Sequence, residues 1–243
     1  MRIKLIIEYD GTAYGGWQVQ DNAPTVQAEI EFALKKLTGQ HIGVYGAGRT
    51  DSGVHARGQA AHFDIDSSIP PEKFSFVLNT MLPADIRIRS SEQVPETFHA
   101  RYHAKGKEYV YRIYNAPHAS AIERNTTMHV PSPLNMEKMR TAAGYMVGTF
   151  DFSAFCAAGS VAKTTVRSVY AIEITEQSPL IAISVKGNGF LYNMVRIIAG
   201  TLIEVGKGKL DPEQLPHIIA CGDRKLAGMT AEPQGLTLEQ VFY

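Results

Sequence analysis

Cysteine is almost missing from this sequence: 243 residues hold two, Cys156 and Cys221, far apart and without a C-x-x-C spacing. That excludes a disulfide framework and a cysteine-based structural zinc site, and it fits a reduced, cytoplasmic setting. Net charge is missing too, with 24 Lys and Arg against 24 Asp and Glu. A general attraction to polyanions is thereby excluded, and any such binding must come from local segregation of charge. No apolar run approaches the length that crosses a bilayer. The apolar start, Ile3 to Ile7, is interrupted by Lys4 and followed by Glu8 and Asp10, so it reads as an alternating strand rather than a signal peptide, and no membrane association is expected. Low-complexity segments and long linkers are also lacking. The length allows one large domain or two small ones, with a sizeable core.

What the sequence does have is a loop, Gly46-Ala47-Gly48-Arg49-Thr50-Asp51-Ser52-Gly53-Val54-His55-Ala56, with a guanidinium and a carboxylate two residues apart among glycines. A dinucleotide fingerprint G-x-G-x-x-G counted from Gly46 would need glycine where Asp51 stands, which would set a negative charge against a pyrophosphate. A phosphate-binding loop aligned on Gly48 and Gly53 would need Lys and Ser or Thr next, and the sequence has Val54 and His55. Both phosphate readings fail. Asp51 is left as a nucleophile, a base or a metal ligand, and a plain surface turn rich in Gly, Asp and Ser fits the same residues.

Charge does segregate locally. Arg87 to Arg112 holds six basic residues, Arg87, Arg89, Arg101, Lys105, Lys107 and Arg112, against Glu92, Glu96 and Glu108. Phe98, Tyr102, Tyr109, Tyr111 and Tyr114 are interleaved with them, the mixture suited to stacking bases and neutralising phosphates. Alternating Tyr with Lys or Arg also makes an ordinary half-buried strand.

Periodicity predicts strands over Arg2–Tyr9, Ile42–Tyr45, Gln59–Ile65, Ile86–Ser90, Glu108–Tyr114, Val169–Thr175, Ile181–Val185 and Leu236–Phe242. Helices are predicted from Thr25, as cap, to Leu37 with Gly39 ending it, from Pro70-Pro71-Glu72 through Met81, over Asn135–Val147 and over Leu191–Val205. Pro216 forbids an uninterrupted helix from Asp211 to Cys221, so a short turn is expected first. The class expected is α+β with a mainly antiparallel sheet. Two related halves, 1–104 and 105–243, are the simplest division, faintly echoed in Tyr45-Gly46-Ala47-Gly48 and Cys156-Ala157-Ala158-Gly159.

Three stretches, Gly48 to Ala56, Lys107-Glu108-Tyr109-Val110-Tyr111-Arg112, and Asn188-Gly189-Phe190-Leu191-Tyr192-Asn193-Met194-Val195-Arg196, resemble motifs of the tRNA pseudouridine synthase A family. Glu8 to Thr12, Gly16-Trp17-Gln18, Lys163 to Arg167 and Gly235 to Tyr243 resemble it as well, so the likeness runs from end to end. Ser52 stands where the family more often has alanine, and Leu191-Tyr192-Asn193 differs in detail from the commoner sequence before the arginine. Neither change removes a reacting group.

The resemblance implies isomerisation of uridine to pseudouridine on the 3′ side of the tRNA anticodon stem-loop, at tRNA positions 38, 39 and 40, by a homodimer with no cofactor and no metal. It implies two ferredoxin-like (RRM-like) halves joined in one curved antiparallel sheet with flanking helices and a central cleft. It implies Asp51 as the catalytic nucleophile, Arg196 as its charged partner, Tyr109 against the uracil, either stacking or helping to remove the C5 proton, and Arg49 at a phosphate or in the gap left by the flipped base. Phe190 would wall the pocket. Two other readings stand beside this one: a metal-dependent hydrolase using Asp51, His55, His62 and Asp64, and a non-catalytic RNA-binding module built on the strand around Tyr109.

Overall fold

Alternation, caps and glycines account for most of the elements in a computed structural model, which describes residues 1–243. Ten strands and five α-helices follow in the order β1 (Arg2–Tyr9), α1 (Val26–Thr38), β2 (Tyr45–Gly46), β3 (His55–Asp64), α2 (Phe74–Asn79), β4 (Ile86–Val94), β5 (Gly106–Asn115), β6 (Met128–Val130), α3 (Met136–Tyr145), β7 (Gly148–Asp151), β8 (Val166–Gln177), β9 (Leu180–Gly187), α4 (Met194–Gly206), α5 (Leu215–Cys221) and β10 (Leu236–Phe242). The class is mixed α+β with mostly antiparallel pairing. Two pairs are parallel, β10 with β3 and β6 with β5. No helix is long and apolar enough to cross a membrane.

The chain forms two compact units, Met1–Lys105 with Thr237–Tyr243, and Gly106–Leu236. The closing segment belongs with the first because β10 runs beside the start of β3, Thr237 opposite His55.

In the first unit β1 lies between β3 and β4, antiparallel to both. Ile3, Leu5 and Ile7 are fully buried on one face, with Phe63 opposite Ile3 meeting Phe74 of α2 edge to face at 5.7 Å. Helix α1 starts where Thr25 Oγ1 accepts from the Ala28 N–H and stops at Gly39, whose φ is 75°. The opposite face of the sheet carries Arg2, Lys4, His62 and Asp64.

In the second unit β9 lies between β5 and β8, with Tyr111 opposite Ile183. Helix α4 is buried nearly all round and packs on α3, where Gly206 lies against Met139. A 3₁₀ turn, Pro212–Gln214, precedes α5 and leaves Pro216 in its first turn, as the proline requires.

Several boundaries differ from expectation for local reasons. Ile42–Val44 is not a strand: the Val44 N–H is taken by Glu31 Oε1 of α1 at 3.0 Å, and only Tyr45 and Gly46 pair with β3. Strand β3 begins at His55 rather than Gln59, because β10 and Tyr9 both pair with its first residues. The helix after Pro70 is a 3₁₀ turn, Pro71–Lys73, followed by the six residues of α2. Helix α4 starts at Met194, since Asn193 is left-handed with φ 59°. Strands β6 and β7 are too short to show alternation.

Candidate active site

In the first unit β2 leads out of the sheet and β3 returns to it, so residues 47–54 form a wide loop between two paired strands. The loop is pinned along its length. Ala47 N–H donates to Ala60 O at 2.7 Å, Gln59 Nε2 to Gly48 O at 2.9 Å, Trp17 N–H to Thr50 O at 3.1 Å, and Gly53 N–H and Ser52 Oγ to Tyr14 O, both at 3.3 Å. Below it the Tyr9 and Thr50 hydroxyls share a hydrogen bond of 2.7 Å, and burial pushes the Tyr9 phenol far above its usual range.

Asp51 opens a turn that closes with Val54 N–H on Asp51 O at 3.1 Å, and Gly53 takes the positive φ of 77° that this turn needs. Gly16 has φ 102°, and a Cβ there would sit 2.5 Å from Thr50 O. Glycine is thus what lets the Tyr14–Trp17 segment reach the backbone on which Asp51 stands. Asp51 is half-buried, whereas Arg49 is exposed and donates from Nε to Gln18 Oε1 at 3.2 Å. A plain mobile turn would not carry so many backbone ties.

The second unit holds Tyr109 and Arg196. Tyr109 is 8% exposed on β5, and its ring meets Phe190 edge to face at 5.4 Å. Phe190, expected to wall the pocket, thus packs directly against the tyrosine ring. Arg196 lies in the first turn of α4 and does not snorkel outward. Its Nε donates to Ala231 O at 2.7 Å and one terminal nitrogen to Asn193 Oδ1 at 2.9 Å, while Ala231 N–H donates back to Arg196 O at 3.1 Å.

The Ala227–Glu232 strap that supplies the first of those acceptors, Ala231 O, is itself fastened. Gly228 N–H donates to Thr201 Oγ1 at 2.9 Å, Arg224 donates to Gly228 O at 2.8 Å, and Tyr111 Oη donates to Glu232 O at 2.8 Å. A guanidinium held on two sides is preoriented for a planar anion.

The hydrolase set is not assembled. His55 Nδ1 accepts from the Gly11 N–H at 3.0 Å and lies 3.1 Å from an Asp10 carboxylate oxygen. His62 Nδ1 accepts from Ala100 N–H at 3.2 Å, and desolvation, then His99 and Arg2, pull its pKa down to about 4. Asp64 is gripped by Arg2 at 2.7 and 2.8 Å, which holds its carboxyl below the usual range. No three His, Cys, Asp or Glu side chains come together in a way that could hold a metal ion.

Sequence reasoning gave roles to Asp51, Arg49, Tyr109 and Arg196 and none to their supports, Tyr9, Thr50, Gln59, Asn193 and the Ala227–Glu232 strap. The signal available for the first group is the run of Gly11, Gly15 and Gly16 among Tyr9, Tyr14 and Trp17. Glycines beside large aromatics announce a close backbone approach.

Comparison with known proteins bears on this arrangement. A family profile described as tRNA pseudouridine synthase matches residues 5–103 and 142–243. The chain is 58% identical over 243 residues to tRNA pseudouridine synthase A of Ruminiclostridium cellulolyticum, covering 100% of this chain and 99% of that one. It is 53% identical over 241 residues to the protein of the same name from Acetivibrio thermocellus, with 99% of each covered. With the Bacillus pumilus protein of that name it shares 48% over 245 residues, covering 100% of this chain and 99% of the other.

Proposed function

The chain belongs to the tRNA pseudouridine synthase A family, and from that premise we propose which residues carry its reaction and where on tRNA it acts. It is an isomerase that converts uridine in tRNA to pseudouridine. The N1–C1′ bond breaks, the uracil turns, and C5 joins C1′; one proton leaves C5 and one arrives at N1, so no redox change or phosphate energy is required.

Asp51 is the nucleophile at the electron-poor sugar, the part a carboxylate takes in retaining glycoside hydrolysis. A carboxylate closed off from water by RNA drifts toward its neutral form unless a cation holds it ionised. Arg196 is that cation. Tyr109 lies on the extruded uracil, where aromatic stacking offsets the cost of unstacking by ~1–3 kcal/mol. Arg49, exposed two residues from Asp51, contacts phosphate or fills the space that the base leaves.

The reading calls for the two units to work as ferredoxin-like halves of one curved sheet whose cleft admits the anticodon arm at positions 38, 39 and 40. A homodimer acting in the cytoplasm, without cofactor or metal, completes it. The observation that carries the proposal is the Asp51 loop, a half-buried carboxylate on a backbone tied at both flanks to Tyr14–Trp17. Release of tritium from C5 of uridine in unmodified tRNA, measured with chelator present, tests it. Release followed by pseudouridine at positions 38–40 is expected; no release from several such tRNAs would sink the proposal.

A further inference from the structure

The aromatic and basic stretch from Arg87 to Arg112 was suited to RNA, yet the site above uses only Tyr109 from it. Tyr111 is unavailable, fully buried with its hydroxyl on Glu232 O. The outermost aromatic of the stretch lies in the first unit, in a cluster around His62, on the sheet face away from α1 and α2.

There Tyr45 stacks on His62, with ring centres 5.2 Å apart and planes 25° apart. His99 meets His62 at 4.8 Å and Tyr102 at 4.3 Å. The inner rings are fixed by backbone: His62 accepts from Ala100 N–H, and His99 Nδ1 accepts from Arg101 N–H at 3.1 Å and Tyr102 N–H at 3.4 Å. The outer rings are open, Tyr45 being 57% and Tyr102 75% exposed. Two tyrosine faces are thus held toward solvent on rigid supports, which removes most of the ordering cost of stacking on them.

The local charge suits a polyanion. Asp64 and Glu92, on the same face, are neutralised by Arg2 and Lys4 at 2.7 and 3.0 Å. Arg101 is exposed, with its guanidinium 6.0 Å from the centre of the Tyr102 ring, and the Glu96 carboxylate interacts with Arg2. Tyr45 also begins the strand that enters the catalytic loop, six residues before Asp51. Six residues span at most ~20 Å, a length of about six stacked nucleotides at ~3.4 Å each.

We propose that Tyr45 and Tyr102, with Arg101, form a stacking platform for unpaired nucleotides of the tRNA substrate that flank the uridine being isomerised. The platform docks substrate and takes no part in the bond changes. It rests on tRNA being the substrate and is independent of the role given to Asp51.

Steady-state kinetics on unmodified tRNA test it with Tyr45→Ala, Tyr102→Ala and the matching Phe variants. Loss of one stacked base predicts a KM raised about 5- to 150-fold in each Ala variant, with kcat within about twofold and the Phe variants near wild type. Tyr45→Ala should weaken tRNA binding equally in an Asp51→Asn background, where turnover is not needed for the readout. Photocrosslinking of tRNA containing 4-thiouridine should label Tyr45 or Tyr102 in the wild-type protein. Unchanged KM and tRNA affinity in both Ala variants would overturn the proposal, as would equal losses in the Phe variants. A shift in oligomeric mass with unchanged KM would overturn it in favour of a protein-binding surface.

Discussion

Replacing Gly16 by alanine should damage catalysis at a distance from the reacting groups. The new Cβ would lie 2.5 Å from Thr50 O, 3.1 Å from Asp51 C and 3.2 Å from Ser52 N, all backbone atoms that cannot rotate away. Restoring an ordinary contact of 3.4 Å to Thr50 O moves that carbonyl by about 0.9 Å, the residue directly before Asp51. Misplacing a reacting group by about 1 Å costs roughly 100-fold in rate. The positive φ of 102° adds roughly 1–2 kcal/mol of backbone strain for any L side chain, enough to lower the melting midpoint by several degrees.

Gly39→Ala is the matched control, because Gly39 also has a positive φ, 75°, but nothing lies within 4 Å of its Cβ position. Tritium release under saturating tRNA, alongside thermal unfolding and tRNA affinity, separates the effects. Gly16→Ala should lose about 100-fold in kcat with tRNA affinity nearly kept, and Gly39→Ala should lose stability alone. A Gly16→Ala protein with wild-type kcat, or a Gly39→Ala protein equally slowed, would refute the reasoning.

Arg196→Lys forfeits the fork that reaches both Ala231 O and Asn193 Oδ1, and a lost charge-assisted hydrogen bond of about 1.5–3 kcal/mol predicts a roughly ten- to hundredfold slower single-turnover rate. A lysine variant at full rate would remove Arg196 from the site. Thr201→Val leaves the Gly228 N–H without its acceptor inside the protein, so denaturant unfolding should show a loss of about 1–3 kcal/mol and faster hydrogen exchange at Gly228; an unchanged midpoint would contradict this. His62 stays neutral in the folded protein down to about pH 4, while the unfolded chain takes up that proton near 6.5, so its contribution is intact above pH 6.5 and drains away as pH falls to 4, by on the order of 2–3 kcal/mol. His62→Asn keeps an acceptor for the Ala100 N–H and should flatten the stability profile over that range; equal slopes in the two proteins would tell against it.

Elements with a strong period or a definite cap were legible in the sequence. Ile3, Leu5 and Ile7 announce β1, and Thr25 with Gly39 brackets α1, because each signal is local to its element. Boundaries set by distant partners were not legible: the start of β3 depends on β10, more than 180 residues later in the chain, and Val44 is drawn out of a strand by Glu31 on a helix. The tyrosines from 102 to 111 look alike in sequence, yet Tyr111 is core and Tyr102 is solvent-facing, a difference made by Glu232 and His99 rather than by neighbours in the chain. The same holds at the site. Asp51, Arg49, Tyr109 and Arg196 stand out as chemistry, while Gln59 and the Ala227–Glu232 strap matter only through contacts that form on folding.

The central claim is that the Asp51 carboxylate, and not merely its loop, carries the reaction. Asp51→Asn keeps the size and the backbone ties of the residue and removes only its charge. With C5-tritiated, unmodified tRNA and chelator present, the variant should bind tRNA within about threefold of wild type and release no tritium above background, while the wild type releases it in full. Release by Asp51→Asn at the wild-type rate would contradict the claim.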